Sequence, residues 1–416
     1  MSLERKHDVI VVGGGIAGTM AAIAAAQEGR RTLLVERFGC LGGMATAGLV
    51  QPMTMWGCGK HYVIGGQGRD MLEQLARSDP EAASEVSTYG PTCDAEHLKY
   101  LLEKEARHAG VRLLYYAWFV DAERDGAAVR AVHVATKAGL LRLTANVFID
   151  ATGDADLAAQ AGVPCETGSQ GITLMFLIGG IDRDRVPERK ELGRLYGEHA
   201  VGYRRGALLF WHPRGDAAYA NMTEVEGLDP LDPADLTKAT LDCREQAWRM
   251  IRVFREHVPG FERAYIAQTA PALGVRESRR IQGAYVLTTE DVLAGRDFPD
   301  TIARASCPLD VHGSEGGGKK LYRPLQRSYG VPYGCLVSEA AENLLVAGRA
   351  ASTDEGAHSS LRRMAPGFAL GEAAGVAAGM AVGEGNALHI DTHQLQTRLL
   401  DRGAILAPES DELEAN

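Results

Sequence analysis

Residues 7–36 read HDVIVVGGGIAGTMAAIAAAQEGRRTLLVE, and this stretch decides the fold. The run of valine and isoleucine over 8–12 predicts a buried parallel strand. The alanine-rich segment 19–28 predicts a helix that ends at Gly29, and 30–36 predict a second strand. The order strand, glycine turn, helix, strand is typical of a Rossmann-like α/β domain.

The turn carries the pattern GxGxxG at Gly13, Gly15 and Gly18. Gly13 permits the tight turn, Gly15 lets the backbone approach a pyrophosphate, and Gly18 lets the helix pack against the strand. Glu36 ends the second strand, where an acidic side chain accepts the hydroxyls of an adenosine ribose. A lone GxGxxG is weak, but this context predicts a dinucleotide site.

The segment ERFGCLGGMATAGLV (36–50) follows at once and distinguishes between dinucleotides. Its paired glycines, Gly42 and Gly43, predict a second turn that approaches the ligand closely. A nicotinamide enzyme does not need that turn, whereas an extended FAD would lie with its phosphates under it. We therefore expect FAD as the cofactor.

Composition bounds the class of protein. The 416 residues leave room for two or three lobes, and a formal net charge of -10 argues against nucleic acid as a partner. The seven cysteines form no CxxC pair, so we expect no metal site, iron–sulfur cluster or redox dithiol. The first strand begins too early for a signal peptide and no apolar run is long enough for a membrane span, so a cytoplasmic protein is expected.

Four later stretches extend the pattern: VFIDATGDADLAAQAG (147–162), TAPALGVRESRRIQGAYVLTTEDVLAG (269–295), NLLVAGRAAS (343–352) and SSLRRMAPGFALGEAAGVAA (359–378). With them, the chain resembles the glutathione-reductase-type flavoproteins and, more closely, the bacterial family of FAD-dependent oxidoreductases over about 7–385. The resemblance implies a Rossmann-like FAD-binding domain around a central parallel sheet, with an inserted α+β substrate or cap domain.

We expect the FAD-binding domain to comprise 1–170 and 325–390, the cap domain 171–324, and a C-terminal tail 391–416 that starts as a helix and ends in the acidic PESDELEAN. The glycine-rich 311–320 predicts a flexible loop at the edge of the active site. Within the cap, 235–258 predicts a long helix with Asp235 as N-cap and a stop at Pro259–Gly260. Its apolar stripe, expected to face the core, comprises Leu236, Leu241, Trp248, Ile251 and Phe254.

The glycine turns and the resemblance together imply a set of cofactor-binding residues. The resemblance also directs the N-terminus of a helix over 366–378 at the pyrimidine ring of the flavin, although the sequence RRMAP (362–366) departs from the expected RVMPT. The expected cofactor-binding residues are Gly13, Gly15, Ile16, Ala17, Gly18, Glu36, Arg37, Gly42, Gly43, Met44, Ala45, Thr46, Val120, Ala151, Thr152, Gly153, Asp154, Gly348, Arg349, Arg362 and Met364.

Oxidation of a C–H bond at a flavin needs a base for the proton and an anchor for the substrate. Arg276 and Arg279, and less so Arg280, are candidates to clamp a carboxylate; alternatively this segment is an ion-paired strut around Glu277.

His312 and His358 are candidate bases, although a lone histidine is more often structural. Cys58 and His61 follow the second glycine turn, a region where some related flavoproteins bond FAD covalently. Nothing in this sequence requires that bond.

These observations predict an FAD-dependent oxidoreductase that transfers hydride between a small polar, preferably anionic, metabolite and N5 of the flavin. The electron acceptor and the oligomeric state stay open. One alternative is a flavin monooxygenase that uses external NAD(P)H, since no second GxGxxG marks a dedicated nicotinamide domain. The others are a non-redox or RNA-modifying FAD protein, which the acidic composition disfavours, and a sensor that only binds FAD.

Overall fold

The computed structural model describes residues 6–200, 206–312 and 321–409 of the chain. Its α-helices are α1 (Ile16–Gln27), α2 (Gly66–Ser78), α3 (Ala95–His108), α4 (Asp156–Gln160), α5 (Arg189–His199), α6 (Pro233–His257), α7 (Thr289–Ala294), α8 (Glu355–Leu361), α9 (Met364–Ala381) and α10 (Thr392–Asp401). Its strands are β1 (Val9–Val12), β2 (Thr32–Val35), β3 (Gly57–Cys58), β4 (His61–Tyr62), β5 (Arg112–Leu114), β6 (Trp118–Asp125), β7 (Ala128–Thr136), β8 (Gly139–Leu143), β9 (Val147–Asp150), β10 (Cys165–Thr167), β11 (Phe176–Gly179), β12 (Leu209–Trp211), β13 (Ala218–Ala220), β14 (Tyr265–Thr269), β15 (Arg279–Ile281), β16 (Thr301–Ala305), β17 (Leu309–Val311), β18 (Leu321–Arg323), β19 (Tyr329–Pro332) and β20 (Leu344–Val346).

A five-stranded parallel sheet in the order β20-β9-β1-β2-β5 lies at the centre. Every residue of β1, β2, β9 and β20 is buried, because both faces of the sheet are covered. The predicted order of strand, turn, helix and strand is confirmed, although α1 begins at Ile16, earlier than the predicted 19. The α/β fold with a central parallel sheet is therefore confirmed.

Alternate side chains of β1 enter two different cores. Val9 and Val11 pack with α1 and α9 on one face, whereas Ile10 and Val12 pack with the antiparallel sheet β6-β7-β8 on the other. Helix α9 lies directly against α1 and extends beyond the predicted 366–378 at both ends. The helix layer and the antiparallel sheet thus explain why β1 is apolar at every position.

A second, antiparallel sheet has the order β12-β13-β11-β14. Helices α5 and α6 cover one of its faces, and their shared core includes Phe176, Tyr196 and Phe254. Shorter ladders pair β3 with β4, β10 with β15, β16 with β19, and β17 with β18. The four-stranded sheet lies within the segment predicted as the cap domain.

Helix α6 confirms the predicted long helix, but it begins earlier than predicted. Its N-cap is Asp232, whose carboxylate accepts the N–H groups of Ala234 and Asp235, and Pro233 occupies the first turn. Asp235 is therefore inside the helix, where the prediction made it the cap. Proline at the first position favours the earlier start because its missing N–H costs nothing there.

The predicted buried stripe of α6 is only partly correct. Ile251 and Phe254 are buried, but Leu241 and Trp248 are 59% and 55% exposed. The buried face instead combines three small residues with three larger ones. Its buried residues are Ala239, Cys243, Ala247, Met250, Ile251 and Phe254.

The tail begins with α10, which confirms the predicted helix. Most of the predicted flexible loop, 313–320, and the acidic end, 410–416, lie outside the described residues. Within the described residues, no helix is both long and apolar enough to cross a membrane.

Candidate functional site: a cavity at the carboxyl ends of the parallel strands

A cavity of about 1010 Å³ opens at the carboxyl ends of β1, β2, β9 and β20 and reaches β12 of the four-stranded sheet. Ligands of open α/β sheets bind at these strand ends. The volume is at the upper end of the range of small-molecule sites, about 300–1,000 Å³. Two sheets of different type therefore border one large site.

The first glycine turn forms part of the cavity wall. Gly13 has φ +104° and donates its N–H to the carbonyl of Val35 at 2.8 Å. A Cβ on Gly15 would meet nothing within 4 Å, so its backbone faces open space in the cavity. Helix α1 has no side-chain cap. The backbone N–H groups of its first turn, at Ile16 and Ala17, therefore indicate a binding site for an anion.

Gly18 does not line the cavity but acts as predicted within the turn. A Cβ there would lie 1.8 Å from the carbonyl oxygen of Gly13. Only glycine lets the helix approach the turn this closely, so Gly18 shapes the turn from behind.

The second glycine turn lies against the first one. Gly42, with φ +99°, donates its N–H to the carbonyl of Gly14 at 2.8 Å. A Cβ on Gly43 would stand 2.8 Å from Cα of Gly15. Because both turns line the cavity with Met44, a ligand that contacts one turn also contacts the other.

Ala45 and Thr46, predicted to contact the cofactor, do not line the cavity. Both are buried, and the Thr46 hydroxyl donates to the carbonyl of Leu41 at 2.5 Å. Ala45 ends the 3-10 helical segment Gly43–Ala45 and Thr46 is its C-cap; both are buried in the protein, whereas Met44 of the same segment lines the cavity. Their role is to hold the turn.

Glu36 lies where the sequence places it, at the end of β2 and in the cavity wall. One carboxylate oxygen accepts the N–H of Gly14 at 2.6 Å, and the other accepts the N–H of Phe38 at 2.7 Å. Burial raises the pKa of Glu36, although these hydrogen bonds favour the charged form. Each oxygen retains a lone pair for a ligand hydroxyl.

The turn after β9 contributes Ala151, Thr152, Gly153 and Asp154 to the wall. Asp154 accepts hydrogen bonds at 2.6 Å from Ser278 and from Arg349, which follows β20. Burial opposes the charge of Asp154, but the charge of Arg349 and these hydrogen bonds lower its pKa overall. Arg349 and Gly348 also line the cavity, so this corner joins the ends of two neighbouring strands.

Aromatic rings flank the cavity beyond Glu36. The guanidinium of Arg37 lies 5.0 Å from the ring centroids of both Phe38 and Trp118. All three line the cavity, and the two rings were not predicted. Val120 was predicted to contact the cofactor but is 46% exposed and outside the wall. It lies at a β-bulge, where the register of β6 shifts between residues 119 and 121.

The N-terminus of α9 borders the cavity through Met364 and Gly367. Pro366 lies in the first turn, where proline is tolerated. Arg362 also lines the cavity, and burial together with the charge of Arg363 lowers its pKa to about 9. Arg362 therefore stays charged at neutral pH. The end of α9 and Arg362 make this part of the cavity electropositive.

Of the four predicted catalytic residues, Arg276 and His312 line the cavity. Arg276 donates to the carbonyl of Gly171 and lies 3.8 Å from Glu224. His312 lies between two carboxylates, with Nε2 3.3 Å from Asp310 and Nδ1 3.7 Å from Glu224. The structure thus brings Arg276 and Glu224, from two other parts of the chain, to the neighbouring pair Asp310 and His312.

Asp310 connects this cluster to the start of α9. It accepts a hydrogen bond from Arg363 at 2.7 Å, and its backbone carbonyl accepts one from Arg362 at 3.2 Å. Although burial opposes its charge, His312 and the two arginines hold the pKa of Asp310 well below its usual range. Asp310 is therefore a permanent anion among cations.

Arg279 and His358 do not line the cavity, contrary to their predicted catalytic roles. Arg279 donates to the carbonyl of Asp154 at 3.1 Å and to the carboxylate of Asp156 at 3.0 Å, so it supports the turn after β9 from behind. His358 is buried in α8, with Nε2 3.1 Å from the carbonyl of Arg276. Burial and the charge of Arg362 lower the pKa of His358 well below its ordinary value, so it is neutral.

The alternative interpretation, an ion-paired strut, is correct for Arg280. Arg280 is buried, pairs with Glu277 and donates Nε to the carbonyl of Thr353 at 3.1 Å. Cys58 and His61 belong to the β3–β4 hairpin and do not line the cavity. The Cys58 thiol contacts the carbonyl of Gln326 at 3.6 Å.

Sequence analysis missed two acids that matter in this cluster. Asp310 lies two residues before His312, so the segment DVH could have indicated it. Glu224 belongs to no sequence motif that could have indicated it. Its side chain is buried, at only 2% exposed. Glu224 lies in the segment after β13, and only the tertiary structure brings this segment to His312.

The features of the cavity fit an extended dinucleotide. Two glycine turns and a helix N-terminus can hold two phosphates, Glu36 can accept hydroxyls, and the cavity continues past them to a second helix N-terminus. The fold and site therefore define an α/β dinucleotide-binding protein.

The chain belongs to the FAD dependent oxidoreductase family, whose sequence profile matches residues 8–399. The protein is accordingly an oxidoreductase, and its cofactor is FAD. This confirms the cofactor and the class of enzyme expected from the glycine turns.

Individual relatives are more distant. A dihydrolipoamide dehydrogenase of Chaetomium thermophilum is 48% identical over 40 residues, which cover 10% of this chain and 8% of that protein. The chain thus matches less than a tenth of the length of this relative.

Two solved structures share the fold. A p-nitrophenol 4-monooxygenase of Pseudomonas putida matches with a TM-score of 0.51 and 12% identity, covering 96% of this chain and 85% of that one. A geranylgeranyl bacteriochlorophyll reductase-like protein of Thermoplasma acidophilum matches with a TM-score of 0.50 and 12% identity, covering 96% and 84%. At this identity the two similarities show the fold alone.

Proposed function

We propose that this oxidoreductase transfers hydride between an anionic metabolite and N5 of FAD. The observation that carries the proposal is His312, which lies in the cavity wall between Asp310 and Glu224 and beside Arg276. A histidine oriented by carboxylates is suited to move a proton, and arginine is suited to hold a carboxylate.

The proposal places FAD across the strand ends. Glu36 would accept the adenosine ribose hydroxyls, because it lines the cavity at the end of β2. The glycine turns at 13–15 and 42–43 would hold the pyrophosphate against the N-terminus of α1. Arg362 and Met364 would then border the flavin ring at the start of α9. One continuous cavity is lined by all these residues, which supports this orientation of FAD, with its adenosine at Glu36 and its flavin at α9.

When bound, FAD supplies the two-electron acceptor for the hydride. Oxidation of a substrate C–H bond with an adjacent O–H or N–H also releases a proton, which His312 would accept. The carboxylate of Asp310 lies 3.3 Å from Nε2 of His312. Asp310 would fix the tautomer and stabilise the protonated ring.

We also propose the glutathione-reductase-type arrangement and the domain division of the sequence analysis. The parallel sheet combines β1, β2, β5 and β9 from the first part of the chain with β20 from a later part. This supports an FAD-binding domain formed by 1–170 and 325–390. The four-stranded sheet and its helices would form the substrate domain within 171–324.

Anaerobic reduction of the bound FAD by a panel of organic anions, followed by visible absorbance, tests the proposed function. One compound should bleach the flavin, and His312→Asn should slow that bleaching by about 10²- to 10⁴-fold, because a positioned base contributes that much. His393→Asn, which alters an exposed histidine of α10, is the matched control and should leave the rate unchanged.

Two results would contradict this proposal. Bleaching by NADPH alone, with no organic anion effective, would support the monooxygenase alternative instead. Equal rates in the wild type and in His312→Asn would remove His312 from the proton transfer.

A further inference from the structure

The end of the cavity beyond α9 is lined by apolar side chains that the cofactor-binding elements do not provide. Strand β12 supplies three consecutive residues, Leu209, Phe210 and Trp211, and α5 supplies Leu192. Met175, from the segment before β11, adds a further apolar side chain. This surface, here called the apolar wall, consists of these five residues.

The position of β12 explains why three neighbouring residues reach one cavity. Successive side chains of a strand point to opposite faces, so a strand inside a sheet would present only alternate residues. Strand β12 pairs with β13 alone and is an edge strand of the described sheet. The cavity passes around this edge, and the side chains of Leu209, Phe210 and Trp211 are each only half-buried.

Charged residues stand beside the apolar wall. Three arginines of the cavity lining belong to the cluster around Asp310 and His312. These arginines are Arg276, Arg362 and Arg363. Glu224 is buried 3.8 Å from Arg276 and does not line the cavity. The cavity lining around Asp310 therefore carries more positive than negative charge.

We infer that the substrate is an amphipathic organic anion, with a carboxylate or similar head at the arginines and an apolar body of several carbons against the apolar wall. The inference rests on the proposed function, since it assigns the substrate class of the same cavity. It replaces the small polar metabolite expected from the sequence. A small polar molecule would leave the half-buried side chains of Leu209, Phe210 and Trp211 in contact with water and gain nothing from them.

Binding of a series of straight-chain carboxylates to the FAD-loaded protein tests the inference by isothermal titration calorimetry. The probes are acetate, butyrate, hexanoate and octanoate, together with octylamine as a cationic counterpart of octanoate. We expect the Kd to fall by about fourfold for each added methylene, as burial of that group predicts. Octylamine should bind far more weakly than octanoate, because its charge repels the arginines.

Two matched pairs of variants locate the binding. Leu209→Asn should remove part of the gain with chain length, whereas Leu241→Asn, at an exposed position of α6, should not. Arg363→Gln should reduce the preference for octanoate over octylamine, whereas Arg130→Gln, at an exposed position of β7, should leave it unchanged. The apparent Tm of each variant checks that it is folded.

The outcomes separate this inference from the proposed function. Octanoate that binds no tighter than acetate, or no tighter than octylamine, overturns the inference even where a small hydrophilic anion reduces the flavin. Chain-length dependence that is lost in Leu209→Asn supports the inference even where no compound in the panel reduces the flavin. If octanoate binds in this way but no compound reduces the flavin, the proposed hydride transfer is contradicted and the inferred substrate class is supported.

Discussion

Glu36 shows how one side chain can serve the turn and the ligand together. Its carboxylate binds the N–H groups of Gly14 and Phe38, which tie the first glycine turn to the end of β2. Glu36 also lines the cavity. The same charge therefore shapes the turn and remains available to a ligand hydroxyl.

Replacing Glu36 with glutamine should weaken FAD binding. The amide keeps one acceptor oxygen, but its NH₂ group faces a backbone N–H that the carboxylate used to satisfy. Loss of a hydrogen bond to a charged group costs about 1.5–3 kcal/mol, so the Kd of the apoprotein for FAD should rise about 10- to 100-fold. Calorimetric titration with FAD measures it. Glu256→Gln, at an exposed position of α6, is the control, and an equal Kd in Glu36→Gln would show that Glu36 does not contact FAD.

His358 is a structural histidine with a measurable consequence. Because burial lowers its pKa in the folded protein, the unfolded chain takes up a proton at a higher pH than the native state does. The free energy of unfolding should therefore fall as the pH drops below about 6.5, the pKa of an unperturbed histidine. This contribution is absent above that pH, where both states are neutral.

Substitution of His358 by glutamine should make this pH dependence shallower. One proton corresponds to at most about 1.4 kcal/mol per pH unit. Chemical denaturation at pH 7.5, 6.5 and 5.5 gives the slope for each protein, and His393→Gln serves as the exposed control. Identical slopes in the wild type and His358→Gln would mean that His358 is protonated in the native state.

At the scale of elements, the contact of α1 with α9 depends on two glycines of α9, Gly371 and Gly375, because glycine has no side chain. A Cβ on Gly371 would lie 2.2 Å from the carbonyl oxygen of Ala17, and one on Gly375 would lie 2.2 Å from that of Ala21. The two helices therefore pack backbone to backbone over the parallel sheet. Helix α9 reaches the cavity with its N-terminus because this packing holds it in place.

Gly375→Ala should destabilise the protein, even though alanine is the better helix former. The added methyl group must push the two helices apart, and overpacking of this kind costs about 1–3 kcal/mol. Gly193→Ala in α5 is the matched substitution, since a Cβ there meets nothing within 4 Å. It should stabilise the protein by up to about 1 kcal/mol. Urea denaturation compares the two, and an equal effect of both changes would contradict the packing argument.

Elements whose causes are local were predicted best. The first strand, turn, helix and second strand follow from neighbouring residues, and the structure changes their bounds by only a few positions. The buried face of α6 was predicted less well. Leu241 and Trp248 look like core residues but are exposed, whereas the unpredicted Ala239, Cys243 and Ala247 are buried with Ile251 and Phe254. Which face of a helix is buried depends on the partner, and the partner lies elsewhere in the chain.

At the scale of the whole molecule, the cavity is assembled from segments that span most of the chain. The glycine turns come from its beginning, β12 from the four-stranded sheet, His312 from the segment after β17, and Arg362 from the segment before α9. A ligand that fills this space contacts both sheets. Binding and the relative placement of the two sheets are therefore coupled through the same cavity.

The sequence by itself determined the dinucleotide turn, the FAD cofactor and the position of Glu36, because these depend on the spacing of a few residues within one unit of strand, turn and helix. Only the tertiary structure decided which of Arg276, Arg279, His312 and His358 reach the cavity. Arg276 and Arg279 are three residues apart, yet one lines the wall and the other supports the turn after β9. The same holds for Glu224 and the apolar wall, since contacts between distant segments depend on how the two sheets pack and leave no local pattern in the chain.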